Sequence, residues 1–305
     1  MTFPRLDHPV RTLRGQELLP AGTELSGATL DAVASAGRSQ IHKKLPILSY
    51  GSVRKDILQF LGQPPYDVIF DGSEKTAAFL AGIQETSTPL PVLESLDYFR
   101  SGDFYTYRHV LIVFALSNLM ARILLENDQD LRVEALAGPA HDFGKISVPL
   151  EILKKNNPLT RTERGILEHH CLAGYVLLTY YQGEEESFLA RVARDHHERR
   201  DGSGYPLGGL LEDRLIEIVA AADIYDALIS VRPYRRAAYD NRTALEEITE
   251  MAVQGKLSWE VVKTLISLNR RAKPREKARV VSVEKRGKPP KGNLYGVIED
   301  EEKKD

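Results

Sequence analysis

A single cysteine in 305 residues, Cys171, has no partner for an internal disulfide, which excludes an oxidised, disulfide-stapled scaffold and suits a reducing cytosol. Net charge is nearly absent as well. Forty-one basic against 43 acidic side chains leave −2, so no whole-molecule field holds nucleic acid or an anionic membrane, and any anion must be captured locally. Long apolar runs are also missing: residues 110–125, the most apolar stretch, contain Ser117, Asn118 and Arg122 and fall short of the roughly 20 apolar residues of a membrane span. That stretch reads as a buried helix. Residues 1–20 lack the charged start, apolar centre and small-residue cleavage site of a signal peptide, and the expected location is cytoplasmic. What is present, 42% hydrophobic and 28% charged residues, is the composition of a globular protein with one large or two modest domains.

Glycines at 15, 22, 27, 37, 51, 62, 72 and 82 divide the first ninety or so residues into short apolar pieces. Residues 45–50 and 66–70 have strand character and 52–61 a helical face, which predicts a small mixed α+β module over 1–95 that regulates or binds a partner. Two prolines in Glu85-Thr-Ser-Thr-Pro-Leu-Pro91 mark a connector there. From 96 to 270 the pattern is mainly α, with amphipathic helices expected near 104–126, 129–141, 160–182, 184–198, 211–230, 243–254 and 258–268. Thr160 with Glu163, and Thr243 with Glu246, have capping-box spacing and predict two helix starts. Residues 271–305 form a charged, partly disordered extension with a short strand expected at 279–283.

The helical half places polar, metal-capable side chains on faces that should be buried. Asp223 recurs with Ile216, Val219, Ala220 and Ala227 at intervals of three and four, and His196 shares a face with Leu189, Val192 and Ala193. His197 lies about 100° round from it. His170 falls in line with Ile166, Leu167, Gly174 and Leu177, and His141-Asp142 follows Ala137 and Ala140. One inward histidine is commonly a neutral donor to a backbone carbonyl. Several imidazoles with two inward carboxylates leave acceptors and charge in oil, and divalent cations satisfy both at once. The mixed nitrogen and oxygen donors suit Fe or Mn better than a structural thiolate zinc site.

His141-Asp142-Phe143-Gly144-Lys145, then His170, His196-His197-Glu198, Asp201-Gly202-Ser203-Gly204-Tyr205-Pro206 and Asp223 together resemble the HD-GYP family of HD-type metal-dependent phosphohydrolases. The likeness covers about residues 100–250 and implies an HD-type helical bundle. It also implies two divalent metal ions held by His141, Asp142, His170, His196, His197 and Asp223, with Asp142 as the bridge. By the same resemblance the activity is hydrolysis of cyclic di-GMP, giving linear pGpG, by a metal-bridging hydroxide. Lys145 is implied as a catalytic partner of Asp142, orienting the nucleophile or offsetting phosphoryl charge. Arg232 and Arg235 resemble the family's phosphate-gripping segment, where a planar guanidinium binds two oxygens. Gly204, Tyr205 and Pro206 lie in a glycine-rich loop that the family associates with substrate access and with docking a diguanylate cyclase; Tyr205 is suited to stacking on a base.

The pattern departs from the three-metal type at Tyr105, where those members carry Glu. A phenol is the poorer ligand, so two metals are expected and His109 is read as a substrate-side or outer residue. His169 reads as a surface residue, and His8 and His42 are assigned no role. An alternative of another class is a catalytically weak cyclic di-GMP receptor or scaffold that docks its partner through the GYP loop. A mixed cyclic dinucleotide is a further substrate class, and a homodimer is compatible with the sequence.

Overall fold

The computed structural model describes all residues except 1–2, 41, 72, 85–86, 126–138, 232–236, 271–280, 292–296 and 300–305. The chain opens on an antiparallel hairpin, β1 (Val10–Arg11) with β2 (Glu17–Leu19), followed by α1 (Gly27–Arg38), whose first turn is capped by the Ser26 hydroxyl. A second antiparallel pair joins β3 (Lys44–Pro46) to β4 (Ser87–Pro89) and encloses α2 (Val53–Leu61), α3 (Tyr66–Ile69) and α4 (Ser73–Ile83). This is the mixed N-terminal part that the punctuation implied.

Two details differ from expectation. Residues 66–70 are helical rather than extended, because Tyr66, Ile69 and Phe70, spaced by three and four, are all buried while Asp67 points to solvent. The strand expected over 45–50 ends at Pro46, which has no N–H to continue a ladder, and Ile47–Ser49 turns into a 3₁₀ helix. The connector is likewise structured where described. β4 leads directly into α5 (Leu90–Gly102), which accommodates Pro91 in its first turn, where no intrahelical donor is required; residue 95 lies inside this helix.

Among the remaining described residues the main elements are helices: α6 (Phe104–Leu124), α7 (Leu150–Leu153), α8 (Arg161–Glu168), α9 (His170–Gln182), α10 (Phe188–Asp195), α11 (Arg214–Ile229), α12 (Asn241–Val253) and α13 (Trp259–Leu268). Between α6 and α7 the described chain resumes before a 3₁₀ turn, Phe143–Ser147; the helix expected at 129–141 lies outside the described residues over most of its length. The capping box at Thr160 forms as expected. At α12 the cap is instead Asp240, whose carboxylate accepts the Thr243 N–H at 3.0 Å, so the helix starts two residues early. The helix expected over 160–182 is two, because the Leu167 carbonyl turns to the His170 ring at 2.6 Å instead of continuing the backbone ladder. Residues 281–283 form no strand, whereas β6 (Ile298–Glu299) pairs in parallel with β5 (Leu159–Thr160).

Two apolar clusters organise the chain. The larger surrounds α6 and draws in Ile57, Tyr66, Phe79 and Phe99 from the N-terminal third together with Ile218, Tyr225, Ile248 and Leu265. Although α6 is long and apolar enough to cross a membrane, 78% of its most apolar window is buried in protein. The second cluster centres on α9 and includes Leu6 ahead of the hairpin, Val10 from β1, Leu30 and Val33 from α1, Ala140 ahead of the 3₁₀ turn and Phe143 at its start. Each fully buried aliphatic or aromatic side chain contributes about 1.5–3 kcal/mol. Both clusters therefore join N-terminal residues to the helical part.

Candidate metal centre

The inward polar groups meet where the two clusters adjoin. From the first come His109 on α6 and Asp223 and Asp226 on α11; from the second come His170 on α9, His196 and His197 after α10, and the His141-Asp142 turn. Gly144 allows this meeting. A Cβ there would stand 1.9 Å from the His170 carbonyl oxygen and 2.5 Å from the Gly174 nitrogen, so only glycine lets the turn close on α9.

Asp142 is 1% exposed and its two oxygens face different partners. Oδ2 lies 3.4 Å from His141 Nε2, 3.6 Å from His109 Nε2 and 2.6 Å from Lys145 Nζ. Oδ1 lies 3.5 Å from His170 Nε2 and 3.9 Å from His196 Nε2. Asp223 also spans the site, with Oδ1 3.0 Å from His109 Nε2 and Oδ2 3.8 Å from His197 Nδ1. Two donor groups result. His109, His141 and Asp142 form one and His170, His196 and His197 the other, each with its ligand atoms within 4.8 Å of one another. Cys171 Sγ also belongs to the second group, with its thiol pushed well above the ordinary range by burial.

Ring orientation fits the donors to cations. His170 Nδ1 bonds the Leu167 carbonyl at 2.6 Å, and His196 Nδ1 bonds the Val192 and Ala193 carbonyls at 3.0 and 3.1 Å. With both Nδ1 atoms donating, the two Nε2 lone pairs face each other 3.3 Å apart. That contact is repulsive unless a proton or a cation lies between them. Burial favours the cation by lowering His170 to about 4 and pushing His196 and His197 well down, which keeps all three neutral at pH 7. Against their burial, Asp142 is held well below the carboxylate range by Lys145, His141 and His170, and Asp223 by His109 and His197. His109 differs. Burial alone would lower it, but hydrogen bonds to Asp223 and Asp226 raise it to about 9.

All six ligands expected from the sequence thus converge, and Lys145 reaches Asp142. His109 lies deeper than a substrate-side residue, 1% exposed with Nε2 among the donors, and the Tyr105 ring stacks on it at 5.5 Å. Arg232 and Arg235 lie outside the described residues. Tyr205 stacks on His197 at 4.6 Å and 22°, so one face of its ring is already covered. His169 is buried, not at the surface: the N-terminal segment covers it, with His8 edge-on at 5.3 Å.

Three contributors carried no assigned role in the sequence reading. Glu198 Oε1 accepts the Leu207 and Gly208 N–H groups at 2.6 and 3.2 Å and ties the loop to the helix end that bears His196 and His197. Gly204 permits that fold, since a Cβ would stand 2.4 Å from the His197 carbonyl oxygen. Asp226, one turn beyond Asp223, bonds His109 Nδ1 at 2.5 Å, and Tyr66 donates its hydroxyl to the same carboxylate. The spacing of three between Asp223 and Asp226 on an apolar face was a readable signal; nothing in the sequence linked Tyr66 to it.

A helical bundle built around neighbouring clusters of imidazoles and carboxylates defines a metal-dependent domain. The HD domain family matches residues 83–260, and the chain belongs to that family. It is 41% identical over 124 residues to the cyclic di-GMP phosphodiesterase response regulator RpfG of Xanthomonas campestris, covering 40% of this chain and 33% of that protein. A cyclic di-GMP phosphodiesterase of Thermotoga maritima is 37% identical over 188 residues, 59% of this chain and 49% of the relative. The 3'3'-cGAMP-specific phosphodiesterase 1 of Vibrio cholerae is 36% identical over 133 residues, 43% of this chain and 30% of the relative. The chain therefore matches between about a third and a half of the length of these relatives.

Proposed function

We propose that the chain is a metal-dependent phosphodiesterase that hydrolyses cyclic di-GMP to linear pGpG. The observation that carries this reading is Asp142, whose two oxygens face two separate imidazole sets and can therefore join two cations. His141, Asp142 and Asp223, with His109 beside them, would hold one divalent ion, and His170, His196, His197 and Asp142 the other. Fe or Mn suits this mixture of neutral nitrogen and anionic oxygen donors. Bound there, the ions supply Lewis-acid polarisation of a phosphodiester and acidify water at neutral pH.

The chain's own groups do the rest. Backbone carbonyls at residues 167, 192 and 193 hold the imidazoles in one tautomer, so their lone pairs need no reorganisation. Lys145, at 14% side-chain exposure, places an ammonium where phosphoryl charge grows. Arg232 and Arg235 are assigned to phosphate binding. The loop at Gly204, Tyr205 and Pro206 is assigned to a partner such as a diguanylate cyclase, supported by Leu207 and Leu210 at 46% and 66% exposure. Residues 1–95 are assigned as the regulatory part, 96–270 as the hydrolase and 271–305 as the extension, working in the cytoplasm.

Two of the relatives are named for cyclic di-GMP and one for 3'3'-cGAMP, so cyclic di-GMP is proposed first and a mixed cyclic dinucleotide second. Anaerobically purified protein supplied with Mn or Fe should linearise cyclic di-GMP, with cGAMP assayed in parallel. Asp142→Ala should lose both bound metal by elemental analysis and turnover. A metal-replete wild type that binds the dinucleotide but never cleaves it would refute the proposal.

A further inference from the structure

The candidate centre is supported from outside by a chain of buried polar groups that begins in the N-terminal third. Tyr66 on α3 is fully buried and donates its hydroxyl to Asp226 Oδ1. Ser230 Oγ donates to the same oxygen at 3.1 Å, and Arg108 Nη1 lies 3.6 Å from it while bonding Ser230 Oγ at 2.9 Å. The other carboxylate oxygen, Oδ2, holds His109 Nδ1 at 2.5 Å. His109 Nε2 then faces Asp223 at 3.0 Å and Asp142 at 3.6 Å. A carboxylate on the distal nitrogen of an imidazole fixes its tautomer and raises its basicity toward a metal, and such partners typically matter by about 10–100-fold in affinity.

We infer that Tyr66 is a positioning residue of the metal centre: through Asp226 it holds the Nδ1–H of His109 in place and so keeps the ring oriented with Nε2 turned toward Asp142 and Asp223. The inference rests on reading the cluster as a metal centre. Its physical basis is that a buried carboxylate oxygen with hydroxyl donors on one side is held in one rotamer, so Oδ2 cannot swing away from His109. The Tyr66 ring itself packs on Arg108 at 5.5 Å and edge-on to Tyr225 at 6.5 Å. Docking of α3 against α6 and α11 thereby becomes part of building the centre, 160 residues away in sequence from the carboxylate it serves.

The test uses the full chain stripped of metal and titrated with Mn(II) by calorimetry, with nitrogen-15 NMR of the His109 ring as a second readout. Tyr66→Phe keeps the ring and removes only the hydroxyl. It should weaken Mn(II) binding about tenfold, the low end for such partners, and shift the His109 Nδ1 resonance of the metal-free protein, because the Nδ1–H then meets a carboxylate that has lost one donor. Asp226→Asn should do more, and adding Tyr66→Phe to it should change nothing further, since the hydroxyl acts only through that carboxylate. Wild-type Mn(II) affinity and unchanged His109 resonances in Tyr66→Phe would overturn the inference, as would full additivity of the two substitutions. These readouts are independent of turnover: the expected Mn(II) and NMR results in a protein that cleaves no cyclic dinucleotide would defeat the proposed activity and leave the role of Tyr66 standing.

Discussion

Replacing Gly144 with alanine drives a methyl group into the backbone of the helix that bears His170. The added carbon would begin 1.9 Å from the His170 carbonyl oxygen, and an ordinary contact needs at least 3.4 Å, so turn and helix must part by about 1.5 Å. Both obstructing groups, the His170 carbonyl and the Gly174 nitrogen, are main chain, so no side chain can rotate out of the way. Overpacking of this kind costs about 1–3 kcal/mol, which at about 2 kcal/mol lowers Tm by roughly 4–8 °C in a domain of this size. The same displacement carries Asp142 Oδ1 away from His170 and His196, which lie 3.5 and 3.9 Å from it. Misplacing a reacting constellation by about 1 Å can reduce rate about 100-fold. Thermal unfolding, elemental analysis and turnover of Gly144→Ala report the three consequences together. A variant with wild-type Tm and full metal content would show that turn and helix are not in the contact described, and the geometry of the Asp142 bridge would have to be abandoned.

Glu198→Ala removes the acceptor of two loop N–H groups and should cost about 1–3 kcal/mol; faster hydrogen exchange at Leu207 and Gly208 is the expected signature, and unchanged protection there would refute it. Asp240→Ala removes the cap of α12 at about 1 kcal/mol. Because hydrogen bonds from the Thr243 hydroxyl and backbone hold the Asp240 carboxyl below its usual value, its contribution is present above the unfolded pKa and disappears as pH falls through the folded one. The stability gap between wild type and Asp240→Ala should therefore close in the acid range below about pH 4 and stay constant near neutrality, which urea titrations at several pH values would measure.

The amino-acid order by itself determined the inventory of the centre and the faces that carry it. Asp223, His196 and His170 were legible because helical period makes a polar residue among apolar ones conspicuous, and the HD and GYP strings stand in uninterrupted runs. Capping at Thr160 was equally local and was read correctly. Local pattern failed where a competitor lay elsewhere: Tyr66 reads as a strand residue until its burial beside α6 and α11 makes the helix preferable, and His169 reads as exposed until the N-terminal segment covers it. Tertiary structure alone decided which nitrogen of each ring faces inward, which oxygen of Asp142 serves which imidazole set, and that Asp226 and Tyr66 stand behind His109. Period specifies the face of a helix, not what lies opposite it. Tautomer and bridging are set by atoms within about 3 Å of the ring or carboxylate, and in this chain those atoms come from residues as far as 117 and 160 positions away.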